Sequence, residues 1–273
     1  MIDVVVFGAA GRMGATVCRA VAEADDMELV AAVDPAAAGR RLGEVTAEAG
    51  SAVLGRPAHL QVAGTASELS AERLDVAIDF TSALAAHANL LWCASQQVHA
   101  VSGTTGLSAK QLAELERAFE RGANCLVAPN FSIGAVLMMR CAELCSAYFE
   151  AAEVIELHHD KKKDAPSGTS LETLRRMAEA RGEERAFGPD RTETTRLEHV
   201  RGGLGPGGVR LHSVRLPGLV AHQEVIFGSP GETLTLRHDS TDRLSFMPGV
   251  LAAARKVAEL PGLTVGLEPV LGL

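Results

Sequence analysis

The sequence predicts an α/β protein in which a doubly wound, Rossmann-type parallel sheet is joined to an α+β domain with a mainly antiparallel sheet. The first observation is that short buried strands, such as Val4–Phe7, Leu29–Val33 and Val76–Phe80, alternate with helical patterns through the first half. Such alternation is typical of a parallel sheet with helices on both faces. The second observation is that the pattern changes after Pro129, where the last strand candidates follow one another closely enough for antiparallel pairing.

The remaining elements of the first half follow from apolar runs and helix-end signals. Ser108 and Gln111 form a capping box for a helix that ends at Gly122. Residues 35–70 are rich in Ala and Gly and indicate only a weak strand near Gln61–Ala63, so their conformation is left open. The other predicted elements are a helix through Met13, Val17 and Val21, a helix at Leu84–Cys93, and strands at Val98–Val101 and Leu126–Val127.

The second half is predicted to begin with a long apolar helix and to contain most of its strands near its end. The predicted helices are Ile133–Tyr148, Leu171–Ala180 and one that begins near Pro248, and the predicted strands are Val154–His158, Val209–Val214, Glu224–Phe227 and Thr233–Arg237. We therefore expect residues 1–129 and 244–273 to form a dinucleotide-binding domain. Residues 130–243 are expected to form a substrate-binding domain.

Composition and charge argue against several classes of function. The 273 residues carry a net charge of −8, whereas a nucleic-acid partner requires a basic surface. No apolar stretch is long enough to span a bilayer and the N-terminus lacks signal-peptide features, so we expect no membrane partner and a cytoplasmic location. The five cysteines are scattered without a zinc-ligand spacing, which predicts buried free thiols in a reducing compartment and no metal site.

A glycine-rich loop, Gly8–Gly14 (GAAGRMG), lies between the first strand and the first helix. At that position the pyrophosphate of a dinucleotide rests on helix N-terminal amides. The G-x-x-G-x-x-G spacing alone could also be a packing turn, but Asp34 ends the second strand, where a carboxylate binds the adenosine ribose. Asp34 followed by Pro35 favours NADH because a carboxylate repels a 2′-phosphate, while Arg40 and Arg41 leave NADPH open.

Two further loops lie at the carboxyl ends of predicted strands, at Asp79–Thr81 and Ser102–Gly106. In doubly wound folds this edge of the sheet binds the ligand. Each loop alone could be an ordinary turn, but together with Gly8–Gly14 they indicate a ligand-binding edge. Small residues there are expected to let a nicotinamide ring approach the backbone.

The run from Glu156 to Ser170 leaves a strand, forms a charged loop, turns at Pro166 and opens a helix. Two histidines and three lysines within six residues form the basic cluster that an acidic enzyme with an anionic substrate needs. A histidine can donate a proton at neutral pH, and a helix start offers N–H groups to a carboxylate. The alternative is a solvated surface run, which accounts for any one of these residues but poorly for the whole constellation.

The stretch His158–Thr169 resembles the signature of the 4-hydroxy-tetrahydrodipicolinate reductase (dihydrodipicolinate reductase) family, H-H-x-x-K-x-D-A-P-S-G-T. The resemblance also covers Gly8–Gly14, the two strand-end loops, Ala128–Ser132 and the closing segment Arg215–Phe246. It implies NAD(P)H-dependent reduction of a small cyclic dicarboxylate to tetrahydrodipicolinate in the diaminopimelate–lysine pathway of bacteria. It also implies that the second domain mediates self-association into a homotetramer.

The resemblance implies a role for each matching residue. His158 would be the proton donor and Lys162 the cation opposite the substrate, whose carboxylates His159, Gly168 and Thr169 would hold. The residues implied to contact the cofactor are Gly8, Ala9, Ala10, Gly11, Arg12, Met13, Asp34, Gly103, Thr104, Thr105, Ala128, Pro129, Asn130 and Phe131.

Two other interpretations remain open. Another two-domain nicotinamide dehydrogenase could share the first half, although nothing in that class requires the run His158–Thr169. A non-catalytic NAD-binding protein is also conceivable, but the intact acid and cation positions, His158 and Lys162, argue against it.

Overall fold

The computed structural model describes residues 1–182 and 185–273. The chain divides into two compact units, one formed by residues 1–133 and 246–273 and the other by residues 134–245. The sequence places the boundaries after residues 129 and 243, and the functions assigned to the two domains stay predictions.

The first unit contains a six-stranded sheet with helices, and every strand pair in it is parallel. The strand order is β11-β5-β4-β3-β1-β2, which confirms the predicted Rossmann-type architecture. Its elements are β1 (Ile2–Phe7), α1 (Arg12–Ala22), β2 (Met27–Val33), α2 (Leu42–Glu48), β3 (Val76–Asp79), α3 (Ala83–Gln96), β4 (His99–Ser102), α4 (Ala109–Ala118) and β5 (Cys125–Val127), completed after the second unit by α7 (Met247–Lys256), β11 (Leu263–Val265) and α8 (Glu268–Leu271).

Helices cover both faces of this sheet, as the burial along β1 shows. Val5 and Phe7 join one apolar cluster with Leu90 of α3 and Leu115 of α4. Val4, which points to the opposite face, is also fully buried, and on that side α1 packs on β1 and on α7. A strand covered on both faces has no polar side chains to alternate, which explains the continuous apolar runs in the sequence.

The structure differs from the sequence prediction mainly in residues 35–70. This segment contains the helix α2, which was not predicted, and the weak strand at 61–63 is reduced to two isolated bridges, Arg41 with Gln61 and Val33 with Ala63. The capping box at Ser108 is confirmed, but α4 ends at Ala118 rather than at Gly122. Strand β11 was also missed, because three residues give too short an apolar pattern.

The second unit contains a five-stranded mixed sheet in the order β10-β9-β6-β8-β7. Its elements are α5 (Ile133–Cys145), which starts at the unit boundary, β6 (Ala151–His158), α6 (Gly168–Arg181), β7 (Gly203–Leu204), β8 (Arg210–Arg215), β9 (Ala221–Ser229) and β10 (Glu232–Ser240). The last three predicted strands, which correspond to β8, β9 and β10, were expected to pair antiparallel. Only β9 and β10 do so. Strand β8 instead pairs with β6 in parallel, because β6 lies between β8 and β9.

Strand β6 positions the site in this unit. Its residues Ala152 and Val154 face the apolar cluster that includes Leu174 and Met177 of α6. Since side chains alternate along a strand, Glu156 and His158 lie on that same helix-covered face. The strand ends at His158, and the charged loop follows directly.

Candidate active site

The glycine-rich loop of the first unit is shaped by close backbone contacts. Gly8 has a φ of 81°, and a Cβ atom there would lie 2.7 Å from the carbonyl oxygen of Phe80. A Cβ atom on Gly14 would lie 2.0 Å from the carbonyl oxygen of Gly8. Both positions therefore require glycine for the loop to pack against the sheet and the helix.

The N-terminus of α1 suits an anion. Gly11 and Arg12 are exposed there, and within the described chain no side chain caps this 11-residue helix. The amides of its first turn have no intrahelical partner, and the helix dipole adds partial positive charge. This terminus, with the glycine loop before it, fits the pyrophosphate of a nicotinamide dinucleotide.

Asp34 lies directly after β2 and ties the glycine-rich loop to the next turn. One carboxylate oxygen accepts from the Ala10 amide at 3.0 Å and the other from the Ala36 amide at 3.0 Å. Of the nearby guanidinium groups, that of Arg40 is paired with both oxygens of Glu48.

Two other arginines flank this region in sequence. Arg12 and Arg41 are exposed, and across residues 1–182 and 185–273 neither guanidinium has a hydrogen-bonded or ion-paired partner. The segments predicted to bind the cofactor therefore contain one carboxylate, that of Asp34, and two cations without a partner among the described residues.

A buried carboxylate organises the two strand-end loops. Asp79 is fully buried at the end of β3, and it accepts hydrogen bonds from the Thr81 hydroxyl at 2.9 Å, the Thr104 hydroxyl at 2.8 Å and the Asn89 amide at 2.8 Å. The Thr81 amide also donates to it at 3.1 Å, so four neutral donors satisfy the buried carboxylate oxygens. Asp79 thus fixes the loops after β3 and β4 relative to each other.

The structure shows a packing requirement for glycine at position 103. A Cβ atom on Gly103 would lie 2.1 Å from the Phe80 ring, which in turn packs against Phe131 with ring centroids 5.8 Å apart. Glycine is therefore required here by aromatic packing within the protein. The expectation that its small size serves the approach of a nicotinamide ring stays a prediction beside this packing requirement.

The predicted cofactor residues all lie in the first unit but differ in accessibility. Those that are exposed or half-exposed are Gly8, Ala10, Gly11, Arg12, Met13, Asp34, Gly103, Thr105, Pro129 and Asn130. Those that are buried are Ala9, Thr104, Ala128 and Phe131. Their contacts with a cofactor stay predictions.

In the second unit, His158 is held by a buried carboxylate. Its side chain is 14% exposed, and its Nδ1 atom contacts an oxygen of Glu156, whose side chain is 0% exposed. Arg215 of the neighbouring strand β8 donates two hydrogen bonds to Glu156, at 2.7 and 2.8 Å. Glu156 therefore joins the histidine to a bidentate guanidinium partner.

These contacts set the ionisation of the pair. Burial tends to raise the pKa of Glu156, but the hydrogen bonds from Arg215, Ser213 and His158 outweigh it, so the pKa lies below its usual value. For His158, burial of the ring lowers the pKa, Glu156 opposes this, and the charges of Lys162 and Arg215 lower it further. The net result is a histidine with a pKa below its usual value beside an ionised carboxylate.

Lys162 differs from the two lysines beside it. Its side chain is 21% exposed, and its Nζ atom donates to both carboxylate oxygens of Asp164 at 2.9 Å. Lys161 and Lys163 are exposed, as is His159. The backbone amide of Lys162 bonds to the carbonyl oxygen of His159, which closes the turn.

The loop leads into the start of α6, where the predicted carboxylate site lies. The Ser167 hydroxyl caps the helix by accepting from the Ser170 amide at 3.2 Å. Gly168 is exposed, and in the described structure a Cβ atom added there would meet no atom within 4 Å. Thr169, beside it, is half-buried. The helix start is therefore open to a ligand.

The structure thus brings His158 and Lys162 together with three residues that sequence reasoning assigned no role: Glu156, Arg215 and Asp164. Glu156 could have been found, because a residue two positions before His158 in a strand lies on the same face. Arg215 is 57 residues from His158, and only the pairing of β6 with β8 brings them together.

The described residues contain neither a candidate metal site nor a helix that could span a membrane. No group of three or more His, Cys, Asp and Glu residues there could hold a metal ion. Among those same residues, no helix is long and apolar enough to cross a membrane.

The chain matches one family over nearly its whole length. The model described as "Dihydrodipicolinate reductase, N-terminus" matches residues 2–131, and the corresponding C-terminus model matches residues 134–271. The 4-hydroxy-tetrahydrodipicolinate reductase of Cutibacterium acnes is 48% identical over 277 residues, covering 100% of both chains. That of Synechocystis sp. is 45% identical, covering 99% of this chain and 98% of its own.

Solved structures agree with this match. Dipicolinate-bound dihydrodipicolinate reductase from Paenisporosarcina sp. TG-14 is 39% identical, with a TM-score of 0.85, and covers 98% of this chain and 99% of its own. The amine dehydrogenase from Mycobacterium smegmatis, at 16% identity and a TM-score of 0.60 with 96% and 94% coverage, shares the fold alone.

Proposed function

The chain belongs to the dihydrodipicolinate reductase family, and we propose from this membership that it reduces 4-hydroxy-tetrahydrodipicolinate to tetrahydrodipicolinate with NAD(P)H, in diaminopimelate and lysine biosynthesis. The observation that carries the proposal is that His158, the Lys162 ammonium and the open N-terminus of α6 follow one another along a single strand-to-helix segment of the second unit. It offers a proton donor, a cation and a carboxylate cradle, which together suit a cyclic dicarboxylate that accepts a hydride.

The reaction is balanced by one hydride and one proton. Loss of water from the hydroxylated ring carbon leaves a conjugated ring, and addition of one hydride and one proton then gives the tetrahydro product. The bound reduced nicotinamide supplies the hydride. We assign the proton to His158, the cation opposite the substrate to Lys162, and the carboxylate contacts to His159, Gly168 and Thr169.

The first unit is proposed to hold the cofactor. The amides at the start of α1 would bind the pyrophosphate, and Asp34 would bind the adenosine ribose. We propose that NADH serves at least as well as NADPH, because the Asp34 carboxylate would repel a 2′-phosphate. The unpaired guanidinium groups of Arg12 and Arg41 would let NADPH bind as well. A tenfold or greater preference for NADPH in kcat/KM would overturn this order.

The direct test is oxidation of NADH on adding freshly prepared 4-hydroxy-tetrahydrodipicolinate. We expect turnover, competitive inhibition by dipicolinate, and no turnover with hydroxy acids or sugars. Turnover with those compounds instead would indicate another nicotinamide dehydrogenase. NADH binding without any turnover would indicate a non-catalytic NAD-binding protein.

We also propose that the protein forms a homotetramer through its second unit. The sheet face opposite the helices carries half-exposed apolar side chains from adjacent strands, including Ile155 of β6, Val214 of β8 and Ile226 of β9. A second copy could cover this face. Light scattering should give four times the chain mass of 28.6 kDa, and Ile226→Glu should reduce it. A monomer at assay concentration would refute the proposal.

A cytoplasmic location is proposed for the same enzyme. Across the described residues all five cysteines are unpaired, as expected in a reducing compartment, although only three are buried as predicted, Cys145 being half-buried and Cys141 exposed. Cell fractionation with a tagged chain tests this, and recovery in the membrane pellet would contradict it.

A further inference from the structure

We propose that Glu156 and Arg215 act as a positioning pair for His158, holding the ring so that Nδ1 faces the carboxylate and Nε2 is the nitrogen that gives its proton to the substrate. This inference deepens the proposed function and rests on it, because His158 is the proton donor of that reaction. Neither residue is assigned to touch the substrate.

The first step is the burial of the carboxylate. Glu156 is 0% exposed, and its strand position points it to the helix-covered face of β6, beside His158. A buried carboxylate is stable only when its oxygens are bonded, and here Arg215 bonds both. Because one oxygen also contacts Nδ1, the ring of His158 has a fixed partner at that atom and none of the described bonds involves Nε2.

The second step is that Arg215 is itself anchored. Its guanidinium donates to the carbonyl oxygen of Val214 at 2.8 Å and to that of Asp164 at 2.8 Å. Asp164 is the partner of Lys162, so the same guanidinium connects the carboxylate under His158 to the loop that carries Lys162. A shift of Arg215 would therefore disturb the ring and the loop together.

The third step concerns charge. The charged groups facing His158 are Glu156 on its own strand, Arg215 on β8 and Lys162 in the loop. The next strand, β9, opposes His158 with the uncharged Ala221, and α6 opens with uncharged residues. Arg215 offsets much of the negative charge of Glu156, so the carboxylate can orient the ring without holding its proton too tightly.

The chain provides its own control on the opposite face of β6. Glu153 binds the same two residue types, Arg201 and His212, with the His212 Nε2 atom 2.8 Å from a carboxylate oxygen. This group lies on the other side of the strand from His158. A change at Glu153 therefore removes the same charge without touching the proposed donor, and because this face is also the one proposed for self-association, the mass of Glu153→Gln is compared with that of the unmodified protein.

The experiment compares Glu156→Gln with Glu153→Gln. Isotope-labelled histidine NMR without substrate should show the neutral His158 ring protonated at Nδ1 in the unmodified protein. Because Glu156 raises the pKa of His158, Glu156→Gln should lower that pKa and shift the alkaline limb of the kcat profile to lower pH. Glu153→Gln should leave both unchanged. We expect Glu156→Gln to reduce kcat by about tenfold or more, with the KM for NADH unaffected.

A second variant tests whether a loss of kcat in Glu156→Gln is due to misfolding. Glu156→Leu with Arg215→Met removes both charges together and leaves neither buried alone. It should fold, bind NADH normally and lose kcat at least to the same extent, because the bond from Arg215 to the Asp164 carbonyl is lost as well. Adding His158→Gln to Glu156→Gln should cause little further loss, because a positioning residue acts through the donor.

Three results would overturn the inference: a kcat for Glu156→Gln within about twofold of the unmodified protein, additive losses in the double variant, or a His158 titration identical to that of Glu153→Gln. Failure of the proposed function would be distinct. In that case the unmodified protein would not reduce the substrate, while the ring protonation and its dependence on Glu156 would still be measurable.

Discussion

Replacing Gly168 by alanine separates a folding role from a ligand-binding role. Gly168 is the first residue of α6, its φ is not positive, and in the described chain an added Cβ would have no atom within 4 Å. No contact among the described residues therefore requires glycine here. If the position is kept open for a substrate carboxylate, the added methyl group would stand over the helix amides that bind it.

The two effects have opposite signs and can be estimated. Alanine favours a helix over glycine, so Gly168→Ala should leave stability unchanged or raise the free energy of unfolding by about 0.5 kcal/mol. A methyl group that displaces the carboxylate weakens a hydrogen bond to a charged group, which is worth about 1.5–3 kcal/mol. That loss corresponds to about a ten- to hundredfold increase in the KM for the substrate.

The assays are thermal unfolding, kcat and KM for the substrate, and the dissociation constant of dipicolinate. Gly203→Ala is the matched control, because a methyl group there lies in the exposed strand β7, 3.9 Å from the nearest carbonyl oxygen. Only Gly168→Ala should weaken substrate and dipicolinate binding. If the two variants bind equally well, the start of α6 does not hold a carboxylate and the reasoning is refuted.

Three further predictions concern the same two units. Lys162→Met should lower kcat/KM by no more than about ten- to a hundredfold, the full value of one charge-assisted hydrogen bond, because the substrate must displace Asp164 from Lys162. Lys161→Met and Lys163→Met should show smaller, salt-sensitive losses, and equal effects at all three positions would leave only general steering. His158→Gln should lower kcat by about 10²–10⁴-fold with NADH binding unchanged, and a loss below about threefold at the pH optimum would remove His158 from the donor role. Gly103→Ala should lower the free energy of unfolding by about 1–3 kcal/mol, because its Cβ would overlap the Phe80 ring 2.1 Å away, and an unchanged Tm would contradict that packing argument.

The fold was predictable where burial leaves a continuous pattern in the sequence. Strands β1, β3 and β5 are covered on both faces, so each contains an unbroken apolar run, at Val4–Phe7, Val76–Ile78 and Cys125–Val127. Residues 35–70 carry no such pattern, because α2 buries only a few side chains and the remaining turns are short. The parallel pairing of β6 with β8 was also beyond prediction, since strands adjacent in sequence usually pair first.

The candidate site was predictable to a similar degree. His158, Lys162 and Gly168 lie within one short run, so residue types and spacing were enough to single them out as candidates. Arg215 lies far along the chain, and its contact with Glu156 depends on the register of β8 against β6. The sequence indicated the small size of Gly103, but its packing against Phe80 could not be read from the sequence, and a contact with the cofactor stays a prediction.

The cations of the second unit differ in whether they are already paired. Arg215 is ion-paired with Glu156, and Lys162 is ion-paired with Asp164. Neither cation is therefore free to attract the dianionic substrate. A substrate carboxylate that binds Lys162 must exchange with Asp164, and the gain is then the difference between two ion pairs rather than the full strength of one. The long-range attraction of the substrate dianion is instead due to exposed residues such as Lys161 and Lys163. Salt screens the effect of these exposed charges. Asp164→Asn should therefore tighten dipicolinate binding at any salt concentration, whereas removal of Lys161 should weaken it only at low salt. If Asp164→Asn weakens binding while the protein stays folded, the aspartate holds Lys162 in its binding position and does not compete with the substrate.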